Sequence, residues 1–315
     1  MSLVIASQME PAFNERLRGH AAAPTVIGVP EDRPWTAAND ADVLLVRPSP
    51  AWRENHHLER PSAWPGRLRW VYSVSVGIDF YPRWLLDAPL VSCGRGVASE
   101  AIADYVIGAV YRHALDFEAV RARSPAGWGQ SRLGRVAGRT IGVVGLGAIG
   151  VAVAQRALAL GMRVIAVRRR DIASPVDGVE LLDDLGELFA QADDVVLALP
   201  ATEATRNIVD ADVLARARPE AHIVNVARGS VIDQAALIAA LDDGRPGFAT
   251  LDVTEPMPLH DGHPLWTHPK VLLTPHLASN HTAVRAVLFD KIAANLDRFA
   301  RGETPGDLVD RAAGY

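Results

Sequence analysis

The chain has one cysteine, Cys93, in 315 residues. No disulfide can form within it, and a reducing, cytoplasmic setting is expected. No apolar run approaches the roughly 18–20 residues that a membrane-crossing helix needs. The opening segment MSLVIASQMEPAFNERLRG has no basic lead before a long apolar stretch, so it reads as a strand and an amphipathic helix, not a secretory signal. Positive charge is not in excess. The 32 Lys and Arg stand against 37 Asp and Glu, a net charge of −5, which argues against the broad basic face of a nucleic-acid-binding domain. One local basic cluster remains, Arg168-Arg169-Arg170. There is no short-period repeat and no low-complexity tract. His260, His263 and His268 share a loop with Asp261, but four prolines (256, 258, 264 and 269) interrupt that segment. It matches no standard zinc spacing, and no metal is expected.

What is present is an ordinary apolar supply, 49% of residues against 22% charged, enough for a sizeable core. The length suits two domains. Short apolar runs alternate with helical segments, the signature of an α/β fold with parallel sheets. LVIA (3–6), TVIGV (25–29), DVLLV (42–46) and LRWVYSV (68–74) read as strands, with a helix at Pro11–Arg18. A long helix is expected from about Ser99 to Arg123. It is apolar around much of its circumference and so suited to burial at a domain or subunit junction. A Gly-, Pro- and Ser-rich loop follows at 124–134. A second series of strands covers TIGVVGLG from Thr140, MRVIAV (162–167), DDVVLALP (193–200), AHIVNVA (221–227), FATLDV (248–253) and KVLLTP (270–275). A helix from about Thr282 to Arg301 closes the chain.

The stretch TIGVVGLGAIGVAVAQRALALG (140–161) holds Gly145, Gly147 and Gly150 in a GxGxxG pattern, with a strand before it and an Ala-rich helix after it. That context marks a dinucleotide fingerprint. Gly145 allows the tight turn, Gly147 lets backbone approach a pyrophosphate, and Gly150 lets the helix pack close to the strand. The helix start adds free N–H groups and positive partial charge. Where the next strand ends, an NAD site usually has an acid for the ribose hydroxyls. Here Arg168 and Arg169 open a basic run, which suits a 2′-phosphate. NADP(H) is therefore the expected cofactor. NAD(H) is the alternative, with Asp171 as ribose ligand beside a solvated arginine run.

Two further residues could carry chemistry. Arg228, in IVNVARGSVID (223–233), directly follows an apolar strand, and its guanidinium fits a carboxylate and a neighbouring carbonyl. His276, in KVLLTPHLASN (270–280), follows another strand, and histidine is the natural acid–base group near neutral pH. Taken singly, each is as readily structural.

Together these segments resemble the D-isomer-specific 2-hydroxyacid dehydrogenases over nearly the whole chain. WVYSVSVGID (70–79) is similar to the family's substrate loop, and GWGQSRLGRVAGRTIGVVG to the lead-in and first part of its fingerprint. NVARGSVID and LLTPHLAS are similar to its arginine and histidine motifs. VTEPMPLHDGHPLW, with the arginines after the second strand, looks nearest to the glyoxylate/hydroxypyruvate reductase branch. The resemblance implies two Rossmann-like parallel-sheet domains. A flavodoxin-like substrate domain of 1–98 with 281–315 would carry an inserted dinucleotide-binding domain of 99–280, with the cleft between them and a homodimer as the assembly. It implies reversible hydride transfer between NADP(H) and a small 2-oxo or 2-hydroxy acid of the D series. Arg228 would bind the carboxylate and polarise the carbonyl, and His276 would exchange the proton. Ser75 and the N–H groups of Val76 and Gly77 would hold the carboxylate. Ala148 and Ile149 would meet the pyrophosphate, Asp252 the nicotinamide carboxamide, and Leu199, Pro200, Val226 and Ala227 would line the cofactor's path. The same fold also serves dinucleotide-sensing regulatory proteins, which is the alternative function.

One position departs from the family pattern. The glutamate that pairs with the histidine is expected five residues after Asp252, and that residue is Met257. A thioether cannot hold an imidazolium by charge. Either Glu255 takes the role through a shifted loop, or His276 works without that carboxylate and reduction fades at a lower pH than is usual for the family.

Overall fold

The computed structural model describes residues 3–31, 33–55, 57–125, 128–129, 132–169, 172–311 and 313–314. The backbone divides into two compact units, Met1–Val97 with Thr282–Tyr315, and Ala98–His281. Both are built on all-parallel sheets, of five and seven strands.

In the first unit the strands are β1 (Val4–Ser7), β2 (Thr25–Gly28), β3 (Val43–Val46), β4 (Trp70–Ser73) and β5 (Leu90–Cys93), in the order β2-β1-β3-β4-β5. This is the flavodoxin-like order, which reverses between β1 and β3. The central strands β3 and β4 are buried throughout, as a parallel sheet covered on both faces requires. Helix α1 (Pro11–Arg18) has proline at its first position, where no N–H is needed. The C-terminal helix Thr282–Ala300 buries Leu288, Ile292, Leu296 and Phe299 in one stripe. That stripe packs with Phe13, Leu17, Ile5, Leu45 and Trp70. Trp52, on the short helix α2 (Pro50–Glu54), belongs with Trp64, Trp84 and Tyr81 to a separate core cluster.

The second unit contains β6 (Thr140–Val144), β7 (Arg163–Val167), β8 (Val179–Leu182), β9 (Asp194–Leu197), β10 (His222–Asn225), β11 (Phe248–Leu251) and β12 (Val271–Leu273), ordered β12-β11-β10-β9-β6-β7-β8. Numbered within the unit, this is the doubly wound 3-2-1-4-5-6 order with a seventh strand added, and it reverses between β6 and β9. Helix α3 (Ser99–Leu115) buries Ile102, Ala103, Val106, Ala109 and Val110, and packs with α4 (Ala148–Ala159) in one cluster. Arg156 of α4 pairs with Glu100 and Asp104 of α3 at 2.7 and 2.9 Å.

Two expectations are corrected. β5 and β8 are additional strands, each at the edge of its sheet. The long helix stops at Leu115, not near Arg123, because Asp116 adopts φ 36°, ψ 63°. Aspartate is one of the few residues that enter this left-handed region readily, and its carboxylate turns the chain by accepting from Ala119 N–H at 3.2 Å. In the 124–134 loop, Ala126, Gly127, Gln130 and Ser131 lie outside the described residues. No described helix is long and apolar enough to cross a membrane.

The N-terminal edge of the second sheet carries a buried polar network. Asp194 and His222 open β9 and β10 and are fully buried. Asp194 accepts from Arg139 Nε at 2.9 Å and contacts His222 Nδ1 at 3.3 Å, while His222 Nε2 meets Thr250 Oγ1 at 2.8 Å. Burial holds the His222 pKa below its ordinary value, against the pull of Asp194. The ring of His113, 4.5 Å from that of His222, is lowered to about 4 by burial and by His222.

Candidate active site

In an open parallel sheet, ligands lie beyond the carboxyl ends of the strands where strand order reverses. In the seven-stranded sheet that point falls beside the fingerprint turn. Gly145 follows β6 at φ 97°, and its N–H donates to Val167 O, the last residue of β7, at 2.9 Å. A Cβ on Gly145 would lie 2.7 Å from Ala198 O and 3.0 Å from Leu199 Cα, so the turn sits directly against the end of β9. A Cβ on Gly150 would lie 2.1 Å from Gly145 O, so the first turn of α4 lies against the strand exit. Gly147 caps α4 and is exposed. A Cβ there would meet nothing within 4 Å. The result is an open cradle of backbone N–H groups at Gly147, Ala148 and Ile149, which fits a pyrophosphate.

The other expected cofactor residues lie around the same edge. Arg168 directly follows β7 and is half-buried, its Nη1 donating to Ala173 O at 3.1 Å, and Arg169 is exposed. Arg170 and Asp171 lie outside the described residues. Leu199 is half-buried and Pro200 exposed beyond β9, while Val226 and Ala227 are buried just past β10.

Arg228 follows Ala227 on the same edge. Its Nη1 donates to Ala227 O at 2.8 Å, and its carbonyl accepts from Asn225 Nδ2 at 2.9 Å. The next residue, Gly229, is pressed against the chain after β11. A Cβ there would fall 2.0 Å from Thr254 C, so no side chain fits.

His276 lies beyond β12, two strands from Arg228 in the sheet order. It is exposed and has φ 53°. A non-glycine residue holds that conformation only when its surroundings impose it. Asp252 imposes it here. The backbone O of Asp252 accepts from His276 N–H at 3.0 Å. Its buried carboxylate takes Thr274 Oγ1 and Leu277 N–H on Oδ1 at 2.6 and 2.9 Å, and Ala278 N–H on Oδ2 at 3.0 Å. Tyr105 continues the chain through a 2.7 Å hydroxyl contact with Thr274. Sequence reasoning assigned Asp252 to the cofactor only and missed this brace. The threonine of LLTPH was its one visible sign.

Glu255 is exposed, and both its carboxylate oxygens accept from Arg206, at 3.0 and 3.2 Å. Its backbone is clasped by Gln234, which accepts from Glu255 N–H at 3.0 Å and donates to its carbonyl. Met257 is half-buried. In the 260–268 loop, His263 Nδ1 accepts from Leu265 N–H and His268 Nε2 lies 3.3 Å from Asp242.

In the first unit, Ser75, Val76 and Gly77 follow β4 at the carboxyl edge of the five-stranded sheet. Ser73 Oγ fixes the turn, accepting from Ser75 N–H at 3.2 Å and contacting Tyr81 Oη at 3.2 Å. Val76 is 40% exposed.

A doubly wound sheet, an open glycine cradle at its reversal point, and an arginine and a histidine on the same edge define a nicotinamide-dinucleotide-binding domain of the dehydrogenase type. Residues 107–278 match the family model described as D-isomer specific 2-hydroxyacid dehydrogenase, NAD binding domain, and the chain belongs to that family. It is 31% identical over 297 residues to glyoxylate/hydroxypyruvate reductase A of Serratia proteamaculans, covering 90% of this chain and 91% of that protein. It is 41% identical over 179 residues to glyoxylate reductase of Korarchaeum cryptofilum, covering 56% of this chain and 53% of that one. Several curated relatives are thus matched over little more than half their length. The structure resembles the D-isomer specific 2-hydroxyacid dehydrogenase of Xanthobacter autotrophicus in complex with NADPH and MES, with a TM-score of 0.82, 29% identity and all of both chains covered.

Proposed function

We propose that the protein is an NADP(H)-dependent reductase of small 2-oxo acids, producing D-2-hydroxy acids of the glyoxylate and hydroxypyruvate type. The observation that carries this function is the shared edge of the seven-stranded sheet, which bears the empty-sided Gly147 cradle, Arg228 and His276 together. The N–H groups of Gly147, Ala148 and Ile149 hold the pyrophosphate, and Arg168 and Arg169 hold the 2′-phosphate. NADPH in the Xanthobacter relative supports that preference. Leu199, Pro200, Val226 and Ala227 line the path to the nicotinamide. Asp252 Oδ1 accepts two hydrogen bonds and Oδ2 one, so Oδ2 keeps an acceptor site for the carboxamide N–H. When bound, the cofactor supplies the hydride for C2 of the substrate.

The chain's own residues do the rest. Arg228 binds the substrate carboxylate and the C2 oxygen with one planar fork, and stabilises the negative charge that grows on that oxygen during reduction. His276 gives that oxygen its proton in reduction and takes it back in oxidation. Ser75 and the N–H groups of Val76 and Gly77 hold the carboxylate. Glu255 acts through its loop, which Arg206 and Gln234 fix against the Arg228 segment. The unit 1–98 with 281–315 serves the substrate and 99–280 serves the cofactor.

A cytoplasmic homodimer belongs to the same proposal. The single cysteine is buried, and Phe117, Trp128 and Leu133 expose 64, 79 and 55% of their surface after α3, which suits a covered face. A sedimentation mass of one chain would remove the dimer. The function is tested by following NADPH and NADH oxidation with glyoxylate, hydroxypyruvate, pyruvate and bulkier 2-oxo acids. Turnover of the small acids with NADPH preferred is expected. Tight NADPH binding without turnover of any acid would instead mark a sensor.

A further inference from the structure

His276 stands at φ 53°, a conformation that persists only where several contacts fix it at once. The Asp252 carboxylate supplies three of them, to Thr274, Leu277 and Ala278. Two of its donors are backbone N–H groups, whose direction the chain itself sets. The third is the Thr274 hydroxyl, which can rotate away from its acceptor. It stays on Asp252 only if another group sets its direction.

Tyr105 sets it. The Tyr105 Oη lies 2.7 Å from Thr274 Oγ1, which in turn lies 2.6 Å from Asp252 Oδ1. Each hydroxyl has one proton to give, and a carboxylate only accepts. The Thr274 proton is therefore committed to Asp252, and the proton between the two hydroxyls must come from Tyr105. Burial, with the Asp252 charge added, holds the Tyr105 phenol above its ordinary pKa against the pull of Thr274. That proton stays in place across the neutral range. The chain is thus ordered from end to end: Tyr105 donates to Thr274, and Thr274 donates to Asp252. Hydrogen bonds in such a chain polarise and strengthen one another.

The head of this chain is firmly mounted. Tyr105 belongs to α3, and one residue earlier Asp104 accepts from Arg156 Nε of the fingerprint helix α4 at 2.9 Å. Glu100, one turn before Asp104, accepts from Arg156 Nη2 at 2.7 Å. Ala278, at the far end of the braced turn, is buried in one cluster with Val106 and Ala109 of α3 and with Ala152 and Val153 of α4, and Tyr105 packs against that cluster. The turn that presents His276 is therefore referred to the same helix pair that forms the pyrophosphate cradle.

We propose that Tyr105 is a positioning residue for proton transfer by His276, acting through Thr274 and Asp252. The role rests on the reductase function proposed above, and it needs no contact between Tyr105 and substrate or cofactor. Without the phenol hydroxyl, Thr274 can turn its proton away and Oδ1 loses one of its two donors. The imidazole then strays from the C2 oxygen. Binding should be spared, because Arg228 and the Gly147 cradle are not links in this chain.

The experiment compares hydroxypyruvate reduction in wild type, Tyr105→Phe, Thr274→Val and the double variant. Tyr105→Phe removes one oxygen atom and keeps the ring. Its kcat should fall about tenfold, since small displacements of a reacting group cost that much or more. KM for hydroxypyruvate and the affinity for NADPH should stay within about twofold. The solvent deuterium effect on kcat should grow by more than the primary effect from C4-deuterated NADPH, because the slowed event is the proton's. In the double variant, Tyr105→Phe should add little to the loss caused by Thr274→Val, as expected of groups acting through one another. An unchanged kcat in Tyr105→Phe would overturn the positioning role. So would a loss carried by KM or NADPH affinity, isotope effects that rise equally, or full additivity in the double variant. Hydroxypyruvate turnover by wild type in these cases leaves the reductase function standing, whereas no turnover of any 2-oxo acid by wild type removes both.

Discussion

Two glycines of the fingerprint sit three residues apart and answer to different constraints, so the same substitution should fail in two different ways. At Gly150 an added Cβ falls 2.1 Å from Gly145 O and 3.1 Å from Val143 Cγ1. The first obstacle is backbone, so the start of α4 must move away from β6 by about 1 Å. Overpacking of this kind costs about 1–3 kcal/mol, or several degrees in the melting temperature of a unit this size. At Gly147 an added Cβ meets nothing within 4 Å, and φ −86°, ψ −163° is open to alanine. The folded protein should lose only a few tenths of a kcal/mol there, as a weaker helix cap. A pyrophosphate in the cradle would meet that methyl group directly. Thermal unfolding without cofactor and fluorescence titration with NADPH separate the two effects. Gly150→Ala should melt several degrees low. Gly147→Ala should melt near wild type yet bind NADPH at least tenfold more weakly, about 1.4 kcal/mol. Wild-type NADPH affinity in Gly147→Ala would refute the placement of the pyrophosphate.

Replacing Arg168 and Arg169 together by alanine should raise KM for NADPH by about tenfold or more while NADH changes little. Equal effects on both cofactors in steady-state kinetics would show that neither arginine reads the 2′-phosphate. Asp252→Asn keeps the shape but exchanges a carboxylate oxygen for an N–H₂ group facing backbone donors. The buried mismatch costs about 1–3 kcal/mol and loosens the strained His276 turn. A fall in kcat of about 100-fold or more is expected, and an unchanged kcat would show that the turn holds without the carboxylate. His113 titrates near 4 in the folded protein and near 6.5 when unfolded. Its folded value is depressed, so its contribution is complete above about pH 6.5 and is lost as the pH falls towards 4. Its partial exposure limits the loss to about 1 kcal/mol near pH 5. Chemical denaturation of His113→Gln should show a shallower decline between about pH 7 and 5, and a decline identical to wild type would acquit this histidine.

The legible parts of this protein are those written locally in the sequence. The fingerprint puts its turn, its cradle and its helix contact within Gly145, Gly147 and Gly150. Arg228 and His276 each announce themselves by following an apolar strand. Most strands were readable for the same reason, while β5 (LVSC) and β8 (VELL) are edge strands whose short runs are broken by an internal polar residue. The end of α3 turned on one residue, Asp116, whose side chain stabilises a left-handed turn that periodicity cannot register. The least legible parts are contacts between distant residues. Asp252 was visible as an acid after a strand. That it braces Thr274, Leu277 and Ala278 depends on β11 and β12 lying side by side. The sequence likewise offered Glu255 as a candidate acid for His276, yet nothing near it in the chain signals that Arg206, 49 residues away, occupies both its oxygens.

The most direct test of the central claim follows the hydride itself. Hydroxypyruvate is reduced with NADPH deuterated at nicotinamide C4, using each C4 stereoisomer in turn, and the product is analysed for chirality and label position. D-glycerate carrying deuterium on C2, formed with one cofactor isomer and not the other, is the predicted result. L-glycerate, or glycerate without deuterium on C2 from either isomer, would contradict the account.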